Sequence, residues 1–279
     1  MTGKLTTLEE AARLVRDGST ISIGGTLLQR TPAAFVRELA RQGRRGLHLA
    51  KPSPGYDGDL LSAAGVLSKV SSGMVSLEQP HGMAMQFRYA VERGQVQFVE
   101  HACITVASAL RAAALGIPFQ PVPGLDGSDV PHVSGFIELT DPATKQRVWA
   151  VRAIQPDWAI LHVAEADSRG NGRIYGTPNW DPLMATAAKG VILTTDRLIE
   201  VGEFARQPEL TTIPELNVRA VVLAPHGAWP TSCHPFYGTD DAAVEDYKLA
   251  SSSPEGLAKM LDQTADNDRQ TSSRVVSTL

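Results

Sequence analysis

Three stretches of the 279-residue chain carry residue types that could do chemistry. Gly24-Gly25-Thr26 follows a short apolar run at residues 20–23. Glycines at the end of a strand let a backbone approach a ligand closely, and the amides that follow could receive anionic oxygens. The same pair also suits a plain strand-to-helix turn. Glu100 ends the run Val96-Gln97-Phe98-Val99, just before a helical segment. A carboxylate there could move a proton or orient a substrate, and a following helix would stabilise its charge. It equally reads as an N-terminal helix charge or half of a surface ion pair. Gly124-Leu125-Asp126-Gly127-Ser128-Asp129 has the composition of an irregular loop of special shape. Such a loop is either functional or a connector.

Other familiar chemistries are missing from the sequence. No Gly-Lys-Ser/Thr exists for a P-loop, and no Gly-x-Ser-x-Gly elbow. Gly170, Gly172 and Gly176 imitate a dinucleotide fingerprint, but the last spacing is one residue too long. They also precede a short extended stretch where a pyrophosphate site needs a helix N-terminus. None of the seven histidines has the i,i+4 spacing of a helical metal pair, and they read as loop or satisfied core residues. Cys103 is expected to pack under the helix it begins. Arg30, Arg88 and Arg111 could each pair a substrate carboxylate, although arginines on helices and loops are commonly just solvated.

Positioning these residues requires an alternation of elements. Thr7 and Glu10 have capping-box spacing ahead of Leu8, Ala11, Ala12 and Val15 on one face. A strand at 20–23 leads to Thr31-Pro32, which reads as an N-cap and first-turn proline, and to a helix with Phe35, Val36, Leu39 and Ala40 on its buried stripe. Short strands at 46–50, 70–77 and 96–99 alternate with helices at 59–66, 83–92 and 103–115. Residues 133–139 and 148–153 read as an antiparallel hairpin around Asp141-Pro142-Ala143-Thr144. Strands at 157–163, 191–194 and 218–224 and a helix at 182–188 follow. The expected fold is α/β: an open, mostly parallel sheet with helices on both faces and an antiparallel hairpin insertion. We expect one domain over residues 1–265 and a loose polar tail over 266–279.

Composition limits the partners. With 26 basic and 30 acidic residues the chain is weakly acidic, a poor match for nucleic acid. Two cysteines exclude a disulfide scaffold or a four-thiolate cluster. The N-terminus lacks the apolar core of a signal peptide, and no apolar run reaches the roughly 20 residues of a membrane helix. A cytoplasmic protein without membrane contact is the expectation.

The order and spacing of several stretches resemble the alpha (A) subunit of heteromeric class I CoA-transferases, glutaconate CoA-transferase type. The stretches are Asp17-Gly18-Ser19-Thr20-Ile21-Ser22-Ile23-Gly24-Gly25, then the alanine-rich segment from Arg111 through Gly116-Ile117-Pro118-Phe119-Gln120-Pro121, and Gly127-Ser128-Asp129. Pro156-Asp157-Trp158-Ala159-Ile160-Leu161-His162-Val163, Ala166-Asp167-Ser168-Arg169-Gly170-Asn171 and Val222-Leu223-Ala224-Pro225-His226-Gly227-Ala228-Trp229-Pro230-Thr231 complete them.

The resemblance implies a CoA-transferase-like fold and a beta subunit of similar fold, in an alpha2-beta2 assembly. A coenzyme A thioester would be substrate, with no permanently bound cofactor and no metal. In that family the acyl-CoA is attacked by a glutamate of the beta subunit, which becomes a thioester by way of an anhydride, splitting one acyl transfer into easier steps. This chain has no Glu-Asn-Gly-type stretch to hold such a glutamate, so alone it should be inactive. Gly24, Gly25, Thr26, Gly127 and Ser128 would line the shared site. Glu100 stands where relatives with other activities, a steroid ring-opening CoA hydrolase and a methylglutaconyl-CoA decarboxylase, carry an active-site glutamate. Either activity, or a non-catalytic acyl-CoA-binding module, is the alternative to CoA transfer. In a heteromer, apolar residues such as Trp180 and Phe236 would be candidates for the interface.

Overall fold

The first helix starts where the sequence says it must. Thr7 Oγ1 accepts from the Glu10 amide (3.2 Å), and the Glu10 carboxylate accepts from the Thr7 amide (3.3 Å). This helix, α1 (Leu8–Leu14), buries Leu8, Ala11 and Ala12. The computed structural model describes residues 3–276.

Beyond α1 the chain winds as β1 (Thr20–Ile23), α2 (Ala33–Arg41), β2 (Leu47–Ala50), α3 (Tyr56–Ala63), β3 (Leu67–Ser72), α4 (Met85–Glu92), β4 (Gln97–Glu100) and α5 (Cys103–Ala114). An excursion follows: β5 (Phe119–Val122), the short α6 (Val130–Val133), β6 (Ile137–Thr140) and β7 (Arg147–Arg152). The winding resumes with β8 (Trp158–Ala166), β9 (Gly172–Arg173), α7 (Asp181–Ala187), β10 (Gly190–Leu198), α8 (Val201–Arg206) and β11 (Val218–Leu223). Two helices, α9 (Asp241–Ala250) and α10 (Pro254–Val276), end it.

The main sheet has the order β11-β10-β8-β1-β2-β3-β4, all parallel, with β9 added antiparallel to β8. From β1 the strands run outward through β2, β3 and β4 on one side and through β8, β10 and β11 on the other. Strand order therefore reverses at the β1/β8 junction, where open α/β sheets form their ligand crevice. The central strands β8 and β10 are buried on both faces because both are covered, whereas the edge strand β4 is exposed or half-buried throughout. In β8, Ile160 packs into the core with α1–α4, while Ala159, Leu161 and Val163 pack into the core with α5 and α7.

Three expectations need correction. Helix α2 begins at Ala33 with Pro32 at the cap and no side-chain cap bond, so Thr31 is not its N-cap. The hairpin at Asp141 forms, but it belongs to a three-stranded sheet, β5-β7-β6, and residues 130–133 are helical. Strand β5 is masked in the sequence by Pro118 and Pro121; as an edge strand pairing only with β7 it tolerates a missing amide. Finally, residues 266–276 are no loose tail but the end of α10. Asp268 accepts from Arg37 Nε (2.8 Å) and Nη2 (2.6 Å) and from Arg41 Nη2 (2.7 Å), which fastens α10 to α2. Residues 277–279 of that tail lie outside the described residues.

Candidate active site

The carboxyl ends of the strands bring the conspicuous residues to one end of the sheet. At the centre, the Gly24 amide donates to Ile160 O (2.8 Å), extending the β1/β8 pairing by one residue. The Gly25 amide donates to Asp181 Oδ1 (2.9 Å), and Lys51 Nζ donates to Gly24 O (3.1 Å). A Cβ at Gly24 would lie 2.6 Å from Asp181 Oδ2, and one at Gly25, where φ is +69°, would collide with the Gln29 carbonyl. The glycines are thus required by internal close approach. Thr26 and Gln29 bond each other reciprocally, Thr26 N to Gln29 O (3.0 Å) and Gln29 N to Thr26 O (2.7 Å). The amides of Gly24, Gly25 and Thr26 are all engaged within the chain, so none is held free for an anionic oxygen here.

Glu100 sits at the end of the edge strand β4, exposed, with no partner for its carboxylate among the described residues. Its register neighbour is Ser72 on β3. Three strand spacings, roughly 14 Å, separate it from the glycine turn. A relay of contacts joins them: the Leu27 amide donates to Ser53 O (3.1 Å), and Ser53 Oγ lies 3.3 Å from Cys103 Sγ, at the start of α5. Met74, two residues past Glu100's register neighbour Ser72, and Ile104, four residues on from Glu100, are exposed. The 124–129 loop leads into α6, and Ser134 Oγ just beyond it donates to Glu100 O (2.5 Å). Gly127 has φ +83°, and Ser128 Oγ accepts from the Val130 amide (3.2 Å). Both are exposed.

Near this edge His101 is buried and His48 half-buried. His101 Nδ1 contacts Thr105 Oγ1 (3.0 Å) and His48 Nε2 contacts Ser71 Oγ (2.9 Å). Burial first, then the Lys69 charge, push the pKa of each down to about 4. Of the three arginines, Arg88 pairs with Glu92 on an exposed face (2.7 Å), Arg111 is exposed, and Arg30 is buried against Asp181 (2.5 Å). Trp180 and Phe236 are half-buried; Trp180 packs at the α5/α7 core and Phe236 lies under the Arg197 guanidinium, 4.0 Å from its ring centroid.

Sequence reasoning missed two buried polar groups. One is the pair of ion pairs around the glycine turn, Arg30–Asp181 and Lys51–Asp57 (2.9 Å). The other is Asp196 on β10. It accepts from His162 Nε2 (2.9 Å), the Tyr237 hydroxyl (3.1 Å) and the His226 amide (2.5 Å). Burial, the largest influence, pushes the Asp196 carboxyl up, but these donors outweigh it and hold it below its ordinary value. Burial and the Asp196 charge push the Cys233 thiol up. His162, Asp196 and Cys233 place ligand-type atoms within 4.8 Å of one another. Here His162 Nε2 bonds Asp196 directly, and the three side chains form a buried node joining β8, β10 and the segment after β11. No sequence spacing announces it.

A cavity of about 260 Å³ opens at the β1/β8 junction, lined by Gln29, Arg30, Thr177, Asn179, Ser232 and His234. A larger depression of about 560 Å³ lies at the amino ends of the strands, beside Arg13, Trp158 and Lys189. The carboxyl end is the one that carries Glu100 and the glycine turn, while the 124–129 loop packs at the small sheet, where Asp126 pairs with Arg147.

With this geometry in view, the relatives are informative. The coenzyme A transferase family matches residues 5–224. The chain belongs to that family. It is 31% identical to the A subunit of the glutaconate CoA-transferase of Acidaminococcus fermentans over 270 residues, 90% of this chain and 84% of that one. The crystal structure of that enzyme superposes with a TM-score of 0.89 at 30% identity, covering 94% of this chain and 88% of the other. A cholesterol ring-cleaving hydrolase IpdA subunit of Mycobacterium tuberculosis is 32% identical over 92% of this chain and 91% of its own length. A variant of the decarboxylase AibA/AibB gives a TM-score of 0.84 at 33% identity over 94% of this chain and 99% of that one. An uncharacterised Archaeoglobus fulgidus protein is 31% identical over 94% of this chain, which spans 59% of its length. This CoA-transferase chain therefore has the fold of an alpha-type chain, and the open parallel sheet read from its sequence is the sheet of glutaconate CoA-transferase.

Proposed function

We propose that this chain is the alpha (A) subunit of a heteromeric enzyme that moves CoA between an acyl-CoA and a carboxylate. The observation that carries the reading is the match in fold and length to the corresponding chain of glutaconate CoA-transferase. The glutamate nucleophile belongs to a beta subunit of similar fold, in an alpha2-beta2 assembly working in the cytoplasm. The thioester is substrate, and the chain retains no cofactor of its own. The carboxyl end of the sheet faces the partner, with Gly24, Gly25 and Thr26 shaping the centre of the shared site and Gly127 and Ser128 its edge.

Glu100 acts there as a proton-handling or substrate-positioning group. Its carboxylate is exposed and lacks an internal partner among the described residues, so it is available to a bound substrate. That availability also favours a second reading, in which the same complex cleaves a C–C bond or removes CO₂ from a CoA thioester. The hydrolase and decarboxylase relatives support it at identities as high as those of the transferases.

One assay separates the readings. The purified two-subunit complex is given an acyl-CoA with and without a carboxylate acceptor. Transfer requires the acceptor and conserves total thioester. Hydrolysis or decarboxylation runs without one. Binding of acyl-CoA with no turnover under either condition would leave only the binding-module alternative.

A further inference from the structure

The carbonyl of Gly24 and the amide of Gly25 belong to one peptide unit, and each of its polar ends meets a buried ion pair. Lys51 Nζ donates to the carbonyl at 3.1 Å while pairing with Asp57 at 2.9 Å. Asp181 Oδ1 accepts from the amide at 2.9 Å while its Oδ2 pairs with Arg30 at 2.5 Å. All four side chains are at most 5% exposed. The outer ends of the clamp are tied as well. Asp57 Oδ1 accepts from the Gly55 amide (2.8 Å), and Arg30 Nη1 donates to His162 O (3.0 Å). Two buried ion pairs are an expensive way to stabilise a turn, since hydrophobic residues of like size would commonly do as well. The register of the turn is in any case fixed by the Gly24 amide on Ile160 O. What the two pairs add is a fixed orientation of one peptide plane at the point where strand order reverses.

We propose that Lys51 and Asp181 are positioning residues that lock the Gly24–Gly25 peptide and thereby hold the wall that Gln29 and Arg30 give the junction cavity in place for the reaction. The wall is tied directly to the clamp, because Arg30, half of one ion pair, follows Gln29 and lines the same cavity. Neither residue has to touch the substrate. A small rotation of the peptide would displace the wall, and displacements near 1 Å in a reacting geometry cost on the order of a hundredfold in rate. The proposal rests on the CoA-transferase-type site proposed above.

The test uses the two-subunit complex, with this chain labelled with ¹⁵N-glycine. Lys51→Met/Asp57→Asn removes the carbonyl's donor without stranding a charge. Expected are a drop of at least tenfold in the exchange protection of the Gly25 amide and a fall of at least tenfold in kcat, with KM within threefold. Arg37→Met/Asp268→Asn dismantles the buried ion pair between α2 and α10, neither residue of which bonds Gly24, Gly25, Lys51 or Asp181, and serves as the control. It is expected to lower Tm comparably and to leave kcat within twofold. Asp181→Asn, which keeps an oxygen for Gly25, is expected to retain more kcat than Asp181→Ala, although both strand Arg30. Unchanged Gly25 protection would overturn the clamp, and a kcat loss no larger than the control's would overturn its role in the reaction. If the wild-type complex turns over no acyl-CoA, the functional reading has failed, and Gly25 protection alone decides whether the clamp exists.

Discussion

Glu100 and Gly25 are the two residues whose substitution separates chemistry from architecture. Proton transfer by a placed side chain is worth roughly 10²–10⁴ in rate. Glu100→Gln in the assembled complex is therefore expected to lower kcat at least a hundredfold while leaving Tm unchanged, because the side chain has no partner among the described residues to lose. Full turnover in that variant would remove Glu100 from the chemistry. Gly25→Ala is a different experiment. The residue has φ +69°, and its Cβ would collide with a backbone carbonyl that cannot swing away. We expect a loss of about 3 kcal/mol or more, read as a lowered urea midpoint of the isolated chain. The residue scale is also where sequence reading ran out. Glu100 and the glycines are visible because they end an apolar run. Lys51 and Asp181 are not, since they lie 27 and 156 positions from the glycine each touches and each reads as an ordinary surface charge until the fold buries it.

At the scale of elements, local chemistry was legible where it was self-contained. The Thr7/Glu10 box set the start of α1, and the alternation of short apolar runs with helical stripes pointed to the parallel sheet. Elements whose pattern is completed from elsewhere were not legible. Strand β5 carries two prolines at and beside it and is a strand only because β7 lies alongside. The end of α10 looks like a solvated polar tail until Arg37 and Arg41 meet Asp268. Asp268→Ala would leave both arginines buried without that partner, so a loss of about 3–5 kcal/mol is expected, with α10 freed from α2 and new protease cleavage within it. Unchanged stability would mean that α10 does not dock as described.

Helix α9 offers a pH test. His81 is held between Glu245 (2.6 Å) and Asp241 (3.0 Å). Burial lowers its pKa, but the two carboxylates outweigh this and leave it above the ordinary 6.5. A raised pKa in the folded state stabilises fully below the unfolded value of about 6.5, and the contribution is lost as pH rises through the folded one. Wild type should therefore lose stability as pH climbs from 6.5, relative to His81→Gln. Parallel pH profiles would show that the imidazolium does not latch α9.

At the scale of the molecule, the family was legible through the order and spacing of stretches, none decisive alone. The reaction was not, because the same fold carries transferase, hydrolase and decarboxylase relatives. The site is also open. Its carboxylate, Glu100, is exposed at the carboxyl end of the edge strand β4. Everything proposed for the site depends on this chain being one half of an acyl-CoA enzyme. That dependence is tested by measuring acyl-CoA turnover, at equal concentration of this chain, for the chain alone and for the complex purified with its beta subunit. The lone folded chain is expected to give no turnover, and a one-to-one complex to turn the thioester over. Turnover by the lone chain, at a rate unchanged by the second chain, would contradict the half-enzyme reading.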